Sequence, residues 1–453
     1  MEFSWCDYII SGEGEYPFAR LCDSLNYNTD FSIPGLCYRK DRGIIVNEPY
    51  IAEGEPPSPY CEEYFDALHG RIAYLETSRG CPYSCAFCLS GRCGGVRFFD
   101  IERAKKEMLL LAKSGTQTVK LVDRTFNANK ARAKELWRFV ISEFGKGIPE
   151  SVCFHFEIAG DILDDESIEI LNSAPKGSIQ LEIGMQSFNE KTLAYINRKT
   201  NTAKLIENIK KLLIPGNLHI HIDLIAGLPF EDFESFKNSF NIGYNLRSNM
   251  LQLGFLKLLH GAAMRDDKEK YPCSFSEEPP YEVISTPWLD EDELSVLHKT
   301  EDALERLCNS GRFIGTVDYI LEKTGLLPFD FFKNFGIYAA ESCNFSVSLD
   351  DYTEIAYRYL SSLEGIDPYV LKDIMICDRL CSNSSGKLPS VLKVSNPDIK
   401  KIRLSIEAEE GNERKPGIKR GFSLLESEKA AVFVDYENKD PVTGKYMLKK
   451  VYY

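Results

Sequence analysis

Strand-like and helix-like segments alternate through the first part of the chain, and this order is what most restricts its fold. Periodic amphipathic stretches such as residues 131–144 and 202–213 separate segments with the apolar pattern of buried strands. The six predicted strands are residues 71–77, 118–123, 152–158, 178–184, 219–226 and 251–257. Crossover helices between parallel strands gather the following loops at the carboxyl ends, where such barrels keep their chemistry. We therefore predict an α/β fold built on a partial (β/α)6 barrel of the TIM type.

Three cysteines on the loop after the first predicted strand, Cys81, Cys85 and Cys88, have the spacing C-x3-C-x2-C. The chain has 14 cysteines and does not open with an export signal, so reduced thiols and a cytoplasmic location are expected. Three thiolates on one loop can hold three corners of an iron-sulfur cube and leave the fourth iron open. Cys93 is close enough in sequence to complete a four-ligand zinc site, so a non-catalytic zinc-binding protein is an alternative.

An aromatic residue, Phe87, precedes the last of these cysteines. With this residue the loop resembles the signature of the radical SAM superfamily. The resemblance implies a 4Fe-4S cluster on Cys81, Cys85 and Cys88, with S-adenosyl-L-methionine (SAM) as the second cofactor. It implies reductive cleavage of SAM to a 5′-deoxyadenosyl radical that acts on an unidentified substrate. It also implies a low-potential electron donor of the flavodoxin or ferredoxin type as a partner.

Carboxylates lie on or at the ends of predicted strands. Asp123 is suited to accept hydrogen bonds from an ammonium group, or it caps a helix or turn. In resembling enzymes this strand end meets the amino group of SAM. Glu182 has apolar neighbours and needs partners, which are either ribose hydroxyls or a salt bridge to Arg198 or a lysine. Glu157 competes for similar roles, and its neighbour His155 is equally explained as a hydrogen-bonded core residue.

Arg198 closes a predicted helical stretch, residues 189–199. At that position an arginine either holds a carboxylate through a bidentate pair or faces solvent near the helix C-terminus. The resemblance favours the first interpretation, with the carboxylate of SAM as the group held.

The stretch after the fifth predicted strand resembles the superfamily's Gly-Leu-Pro-Gly-Glu, with Phe230 in place of the second glycine. Gly227 would let the backbone approach a planar ring closely, and Ile225 and Leu228 would sandwich adenine. The substitution at Phe230 affects the conformation expected for this turn.

The N-terminal segment resembles the last strand-helix unit of the cobalamin-binding domain that precedes many radical SAM barrels. A short strand and a glycine turn in residues 6–15 lead into a helix ending near Leu25, and a hairpin and a proline-rich linker follow. The other strands of such a domain and an Asp-x-His-x-x-Gly pattern are missing. We therefore expect a remnant domain, in a natural or a truncated chain, and no binding of cobalamin.

The residues after the barrel are predicted to form an extension that resembles an uncharacterised C-terminal region of some radical SAM proteins. Its helical part begins with a capping stretch at residues 290–293, and residues 401–406 and 431–436 read as strands of a small β module. Cys377 and Cys381 could ligate a second cluster with Cys343, or pack as apolar thiols. The predicted domains are the remnant and linker 1–70, the barrel 71–260, the mainly helical extension 261–400 and the β module 401–453.

Charge and hydropathy restrict the partners. The 68 acidic and 54 basic residues give a net charge of -14, which makes a nucleic-acid partner unfavourable, and no apolar run reaches the length of a membrane-spanning helix. A radical SAM methyl- or methylthiotransferase acting on RNA or on a natural product is the second catalytic interpretation. An RNA substrate would call for a basic binding module, which the sequence does not display.

Overall fold

The computed structural model divides the chain into two compact units, Met1–His69 and Gly70–Tyr453. Outside the described residues lie Cys93 and Cys343, so the predictions for these two cysteines are not addressed by the structure. The structure describes residues 5–27, 29–41, 43–90, 95–342, 347–409 and 418–453.

The first unit is a small antiparallel sheet with two helices. Its elements are β1 Tyr8–Ile10, α1 Glu15–Tyr27, β2 Leu36–Lys40, β3 Gly43–Val46 and α2 Glu62–Leu68. The sheet order is β1-β2-β3, so the predicted hairpin is confirmed as the β2–β3 pair. Three buried side chains, Leu21, Ile33 and Leu36, form the core of this unit.

The second unit is built on six parallel strands in the order β4-β7-β8-β9-β10-β11. Each observed strand end lies within two residues of its predicted position, and the predicted partial barrel is confirmed. The strands are β4 Ala73–Leu75, β7 Thr118–Leu121, β8 Cys153–Ile158, β9 Ile179–Gln186, β10 His219–Ala226 and β11 Met250–Phe255. The connecting elements are β5 Ser78–Cys81, β6 Gly95–Phe98, α3 Ile101–Ala112, α4 Lys130–Glu143, α5 Asp165–Asn172, α6 Glu190–Tyr195, α7 Thr202–Leu213 and α8 Phe233–Asn245.

Along the central strands, successive side chains point to opposite faces of the sheet, one toward the core beneath the helices and the other toward the barrel interior. On β9 the side chains of Leu181, Ile183 and Met185 are buried on the helix side. The intervening side chains, among them Glu182 and Gln186, point to the inner face and are half-buried. The interior of this barrel is therefore polar, although interiors of this type are usually filled by branched apolar residues.

The chain after β11 is helical and ends in a three-stranded antiparallel sheet of order β14-β15-β16. A capping box at Asp290 and Glu293 starts α10, as the sequence predicts. The elements are α9 Ala263–Asp266, β12 Ser274–Phe275, β13 Val283–Ser285, α10 Glu291–Leu304, α11 Ile314–Thr324, α12 Pro328–Ser342, α13 Leu349–Leu360, α14 Pro368–Ser382, α15 Ile399–Glu409, β14 Arg420–Leu424, β15 Ala430–Lys439 and β16 Tyr446–Tyr452. Among the described residues, no helix is both long and apolar enough to cross a bilayer.

The strand predicted at residues 401–406 is wrong, because this segment belongs to helix α15. Ile399, Ile402 and Ile406 recur at helical spacing and pack on the sheet beside Phe433. Leu404 completes an apparent period-two pattern, but its side chain is 65% exposed. The helical period is therefore the one that buries apolar surface.

Candidate active site

The cysteine loop connects β4 to α3 and is braced by a short antiparallel ladder. β5 pairs with β6, and Cys81 at the end of β5 stands opposite Gly95. Cys85 is buried, whereas Cys81 and Cys88 are half-buried. All three thiols line one cleft at the carboxyl ends of the parallel strands. The structure thus brings the three predicted cluster ligands to one place, and Phe87 lines the same cleft.

Hydrogen bonds to the segment after α6 hold the loop in place. The amide of Ala86 donates to the carbonyl oxygen of Ile196 at 2.9 Å. Asn197 Nδ2 donates to the carbonyl oxygen of Ser84 at 3.0 Å. Because both residues flanking Cys85 are anchored, the barrel fixes the position of this thiol.

Two of the thiols have polar neighbours. Burial raises the pKa of Cys85, and the guanidinium of Arg198, whose Nη1 is 3.8 Å from Sγ, acts against that increase. Thr125 Oγ1 lies 3.5 Å from Cys81 Sγ. Within the described ranges, which leave out Cys93, no three His, Cys, Asp or Glu side chains converge closely enough to bind one ion.

Asp123 lies beneath the loop, and its carboxylate already has partners. The side chain is 1% exposed. Oδ2 accepts from the amide of Thr77 at 2.9 Å, and Oδ1 accepts from the hydroxyls of Thr77 at 2.7 Å and Ser78 at 2.5 Å. Asp123 is not among the residues that line the cleft. Its contact with the amino group of SAM thus stays a prediction, and the observed bonds tie the start of the cysteine loop to the end of β7.

Glu182 has a lysine and a histidine as partners on the inner face of the barrel. Its Oε2 lies 3.0 Å from Lys120 Nζ and 2.8 Å from His155 Nε2. Burial works against ionisation, but the hydrogen bonds from His155 and Lys120 prevail and lower the pKa of Glu182 to about 2. Burial, assisted by the charge of Glu182, raises the pKa of Glu157, which lies 3.6 Å from Lys120 Nζ. The salt bridge to a lysine, one of the two predicted kinds of partner, is present.

Arg198 faces the cleft and not solvent. Helix α6 ends before the predicted residue 199, and Asn197 adopts the left-handed conformation with φ of 56°. Arg198 Nη2 donates to the carbonyl oxygen of Gly184 at 2.5 Å, and Nη1 faces Cys85. Its Nε is buried and has no hydrogen-bond partner among the residues described. A guanidinium with an unused buried donor is suited to an anionic ligand.

The predicted adenine-binding residues follow the end of β10. Gly227 has φ of 89°, and a Cβ added there would lie 2.7 Å from Val283 Cγ1. Leu228 is fully buried and Ile225 is half-buried. The cleft lining includes none of these three residues. The close approach of Val283 therefore explains the glycine, and contact of the three residues with adenine stays a prediction.

Phe230 adopts the conformation that a glycine would take with less strain, with φ of 63°. The ammonium group of Lys191 lies 3.8 Å from the centre of its ring. The rings of Trp288 and Tyr195 lie 4.6 Å and 4.8 Å away, centre to centre. Left-handed backbone at a non-glycine residue costs roughly 1–3 kcal/mol, which ring contacts of this number can offset. The turn is thus formed in spite of the substitution.

Two polar residues of the cleft, Gln186 and Asp223, were not predicted from the sequence. Gln186 Oε1 is buried without a hydrogen-bond partner in the described part of the chain. Asp223 Oδ1 lies 3.1 Å from His221 Nε2, but the two atoms are not aligned for a hydrogen bond. The available signal is strand alternation, which places Gln186 on the same face of β9 as Glu182.

The unused polar atoms of the cleft correspond to the polar groups of SAM. Arg198 Nε is a donor, as a carboxylate requires, and Gln186 Oε1 is an acceptor, as a ribose hydroxyl requires. A buried polar atom left without a partner costs about 1–3 kcal/mol, which a ligand of matching chemistry removes. The residues present therefore fit this cofactor.

Cys377 and Cys381 lie one turn apart on α14, far along the chain from the cleft. Burial raises the pKa of both thiols, to about 12 for Cys377. No third ligand joins them within the described residues, which leave out Cys343. These observations favour packed, neutral thiols, and the second cluster stays a prediction.

Comparisons with known families match two parts of the chain. Residues 75–241 match the family described as the radical SAM superfamily. Residues 269–434 match a family described as a protein of unknown function, DUF4080. The first match contains the cysteine loop, Arg198 and Asp223, and the second covers most of the C-terminal extension.

Several curated proteins are similar to the chain over the barrel. The 2-(S-pantetheinyl)-carbapenam-3-carboxylate methyltransferase of Streptantibioticus cattleyicolor is 26% identical over 52% of this chain and 36% of that protein. The cobalamin-dependent radical SAM methyltransferase TokK of Streptomyces tokunonensis gives the same three percentages. The ribosomal protein uS12 methylthiotransferase RimO of Myxococcus xanthus is 29% identical over 43% of this chain and 40% of that protein. The matches thus span between a third and a half of these relatives.

A solved structure resembles most of the chain in fold. The cobalamin-dependent S-adenosylmethionine radical enzyme OxsB matches with a TM-score of 0.51 and 13% sequence identity. The match covers 89% of this chain and 64% of that one. At this identity the likeness shows the fold alone.

Proposed function

We propose, from the match of residues 75–241 to the radical SAM superfamily, that the chain is an enzyme that reductively cleaves SAM. A bound 4Fe-4S cluster would supply the electron that cleaves SAM to methionine and a 5′-deoxyadenosyl radical, which would remove a hydrogen atom from a substrate. The observation that carries the proposal is one cleft in which three thiols meet the unpaired buried polar atoms of Arg198 and Gln186, with the carboxylate of Asp223 on the same lining.

The cysteines and Arg198 form the part of the site that would hold the cluster and the amino-acid end of SAM. Cys81, Cys85 and Cys88 provide three thiolates, and the anchored backbone around Cys85 keeps them from swinging apart. Arg198 supplies a positive charge beside Cys85 and a free donor for the carboxylate of SAM. Asp123 acts indirectly, by fixing the start of the loop through Thr77.

The inner faces of β8, β9 and β10 would receive the nucleoside. Gln186 and Asp223 offer acceptors to the ribose hydroxyls, and Glu157 lines the same side of the cleft. Glu182 lines the same cleft and is paired with Lys120 and His155, and its contact with the ribose hydroxyls stays a prediction.

The partners follow from the same chemistry. Cleavage of SAM consumes an electron of low potential, so the enzyme needs a donor of the flavodoxin or ferredoxin type. A net charge of -14 disfavours RNA as the substrate. We therefore place the chain among enzymes acting on a small molecule or peptide, and transfer of a methyl or methylthio group to RNA is the less favoured alternative.

The proposal is tested by assaying SAM cleavage in the anaerobically reconstituted protein. Reduced with dithionite, the wild-type protein should form 5′-deoxyadenosine from SAM, and the Cys85→Ala protein should form none. As a matched control, Cys308→Ala removes a half-buried thiol outside the cleft and should leave the product unchanged. Equal product from the wild-type and Cys85→Ala proteins, or no product from a wild-type protein with full iron content, would contradict the proposal.

A further inference from the structure

A buried carboxyl group, Glu231, lies directly after β10 and has no part in the function proposed above. Its side chain is 0% exposed. Oε1 accepts hydrogen bonds from the hydroxyls of Ser187 at 2.6 Å and Ser239 at 2.7 Å. Oε2 is also buried and has no hydrogen-bond partner among the residues that the structure describes. The protonation state of such a group changes the strength of every hydrogen bond that it makes.

The direction of both hydrogen bonds to Oε1 is fixed by their neighbours. Ser187 Oγ accepts from the amide of Asn189 at 2.9 Å, and Ser239 Oγ accepts from the amide of Phe188 at 3.1 Å. Because a backbone amide can only donate, each hydroxyl keeps its own proton for Oε1. A proton on the carboxyl group of Glu231 therefore resides on Oε2.

Through these bonds Glu231 holds the segment that directly follows Gln186, a side chain of the cleft. Gln186 precedes the first of the two serines and has φ of 70°, a strained conformation for a residue with a side chain. Asn189 has anchors of its own, because its Nδ2 donates to the carbonyl oxygen of Phe230 at 2.8 Å and to Ser235 Oγ at 3.0 Å. Loss of the bonds to Glu231 would therefore act on Ser187 and on the strained backbone of Gln186.

We propose that Glu231 is a positioning residue for SAM, whose protonated form keeps Gln186 in place, so that affinity for SAM falls as pH rises above neutrality. The inference rests on the proposed function. The charged neighbour that acts on Glu231 is Asp232 of the same turn. The β9–α6 segment and α8 meet Glu231 with serine hydroxyls, and the ammonium group of Lys191 on α6 is directed at the ring of Phe230.

The sign of the pH dependence follows from burial. Burial raises the pKa of Glu231 to about 7, the serine hydrogen bonds act against this increase and the charge of Asp232 adds to it. Above that pH the group carries a buried charge that no cation among the described residues balances. When residues 186–189 open, water reaches the carboxylate of Glu231 and solvates its charge. By the same linkage, the contribution of Glu231 to folding stability falls as pH rises from about 4.5 to about 7.

The test compares SAM affinity in three reconstituted proteins by anaerobic calorimetry between about pH 6 and about pH 8. Glu231→Gln keeps an oxygen acceptor for both serines but cannot ionise. Glu301→Gln is the matched control, because burial and neighbouring carboxylates raise the pKa of Glu301 to about 7 on α10, outside the cleft lining. Titration of the amino group of SAM contributes equally to all three proteins.

We expect the Kd for SAM to rise about tenfold more over this pH range in the wild-type and Glu301→Gln proteins than in Glu231→Gln. Hydrogen-deuterium exchange of residues 186–189, corrected for intrinsic rates, should accelerate above neutrality in the wild-type protein, which decides the case even if Glu231→Gln does not fold. Equal pH profiles in all three proteins, or exchange that does not respond to pH, would overturn the inference and leave the proposed function intact. Failure of all three proteins to bind SAM would overturn both.

Discussion

Arg198 links the cluster ligands to the rest of the cleft at the level of one side chain. One guanidinium nitrogen bonds the carbonyl of Gly184, another faces the buried thiol of Cys85, and the third has no partner in the described chain. The planar fork of arginine makes three such directions available at once, whereas the ammonium group of lysine presents a single point charge.

Arg198→Lys should therefore weaken SAM binding more than loss of charge alone would suggest, since the charge is kept. Hydrogen bonds to charged groups contribute about 1.5–3 kcal/mol, so the Kd for SAM should rise about tenfold or more. Anaerobic calorimetry on the reconstituted protein measures this change.

Arg247→Lys is the matched control for Arg198→Lys. Arg247 lies outside the cleft lining, and its Nη2 donates to both carboxylate oxygens of Asp318, at 2.7 and 2.8 Å. Its replacement should leave the Kd for SAM unchanged. A Kd equally unaffected by Arg198→Lys would show that Arg198 does not hold the cofactor.

At the scale of whole elements, two chain segments are each held by a buried aspartate that accepts three hydrogen bonds. Asp123 on the loop after β7 accepts two hydroxyls and an amide from the residues that open the cysteine loop. Asp373 on α14 accepts two amides and a hydroxyl from Glu426 and Ser427. Both carboxylates are buried and accept three hydrogen bonds, but the donors to Asp373 are on exposed residues and only Asp123 adjoins the cysteine loop.

Asp123→Ala should lower the free energy of unfolding by about 2–4 kcal/mol, because it leaves three buried donors without an acceptor, and Asp373→Ala should lower it by less, because water can reach the donors on Glu426 and Ser427. Only Asp123→Ala should also lower the iron bound per folded molecule after reconstitution. Urea denaturation and iron analysis on the soluble fraction separate the two effects. Full iron content in a folded Asp123→Ala protein would argue against a role for Asp123 in fixing the cysteine loop.

The elements themselves were largely predictable from the sequence, because burial on a sheet and on a helix leaves different periods. The six barrel strands are buried on the helix side and recur at regular intervals, so the prediction places their ends within two residues. Residues 401–406 fit two periods at once, and only packing against Phe433 selects the helical one. The strand prediction failed here because the local apolar pattern also fits a strand, whereas packing in the folded chain buries the residues at helical spacing.

The candidate site was predictable in part, for a related reason. The cysteine spacing is local, and the structure brings the three thiols and Arg198 into one cleft. Gln186 and Asp223 are recognised only when strand alternation is combined with the pairing of β9 and β10. The bonds of Asp123 to residues 77 and 78 span more than 40 positions, and no local pattern foretells them.

For the molecule as a whole, the first unit bears on the cobalamin question raised by the sequence. Its antiparallel sheet has three strands and a core of Leu21, Ile33 and Leu36, which is too small to enclose a corrin and its nucleotide. Titration of the protein with hydroxocobalamin, followed by absorption spectroscopy, should show no saturable binding. Stoichiometric binding at micromolar concentrations would contradict this expectation, and the SAM cleavage assay would then be repeated with the bound form.

The central claim is that Cys81, Cys85 and Cys88 hold a cluster whose fourth iron is open to SAM. Low-temperature electron paramagnetic resonance of the reduced, reconstituted protein, recorded with and without SAM, tests it most directly. We predict the signal of a reduced 4Fe-4S cluster, with g values that shift when SAM is added, and loss of that signal when the three cysteines are replaced by alanine. A full-strength spectrum that SAM leaves unchanged, or one that survives the triple replacement, would contradict the account.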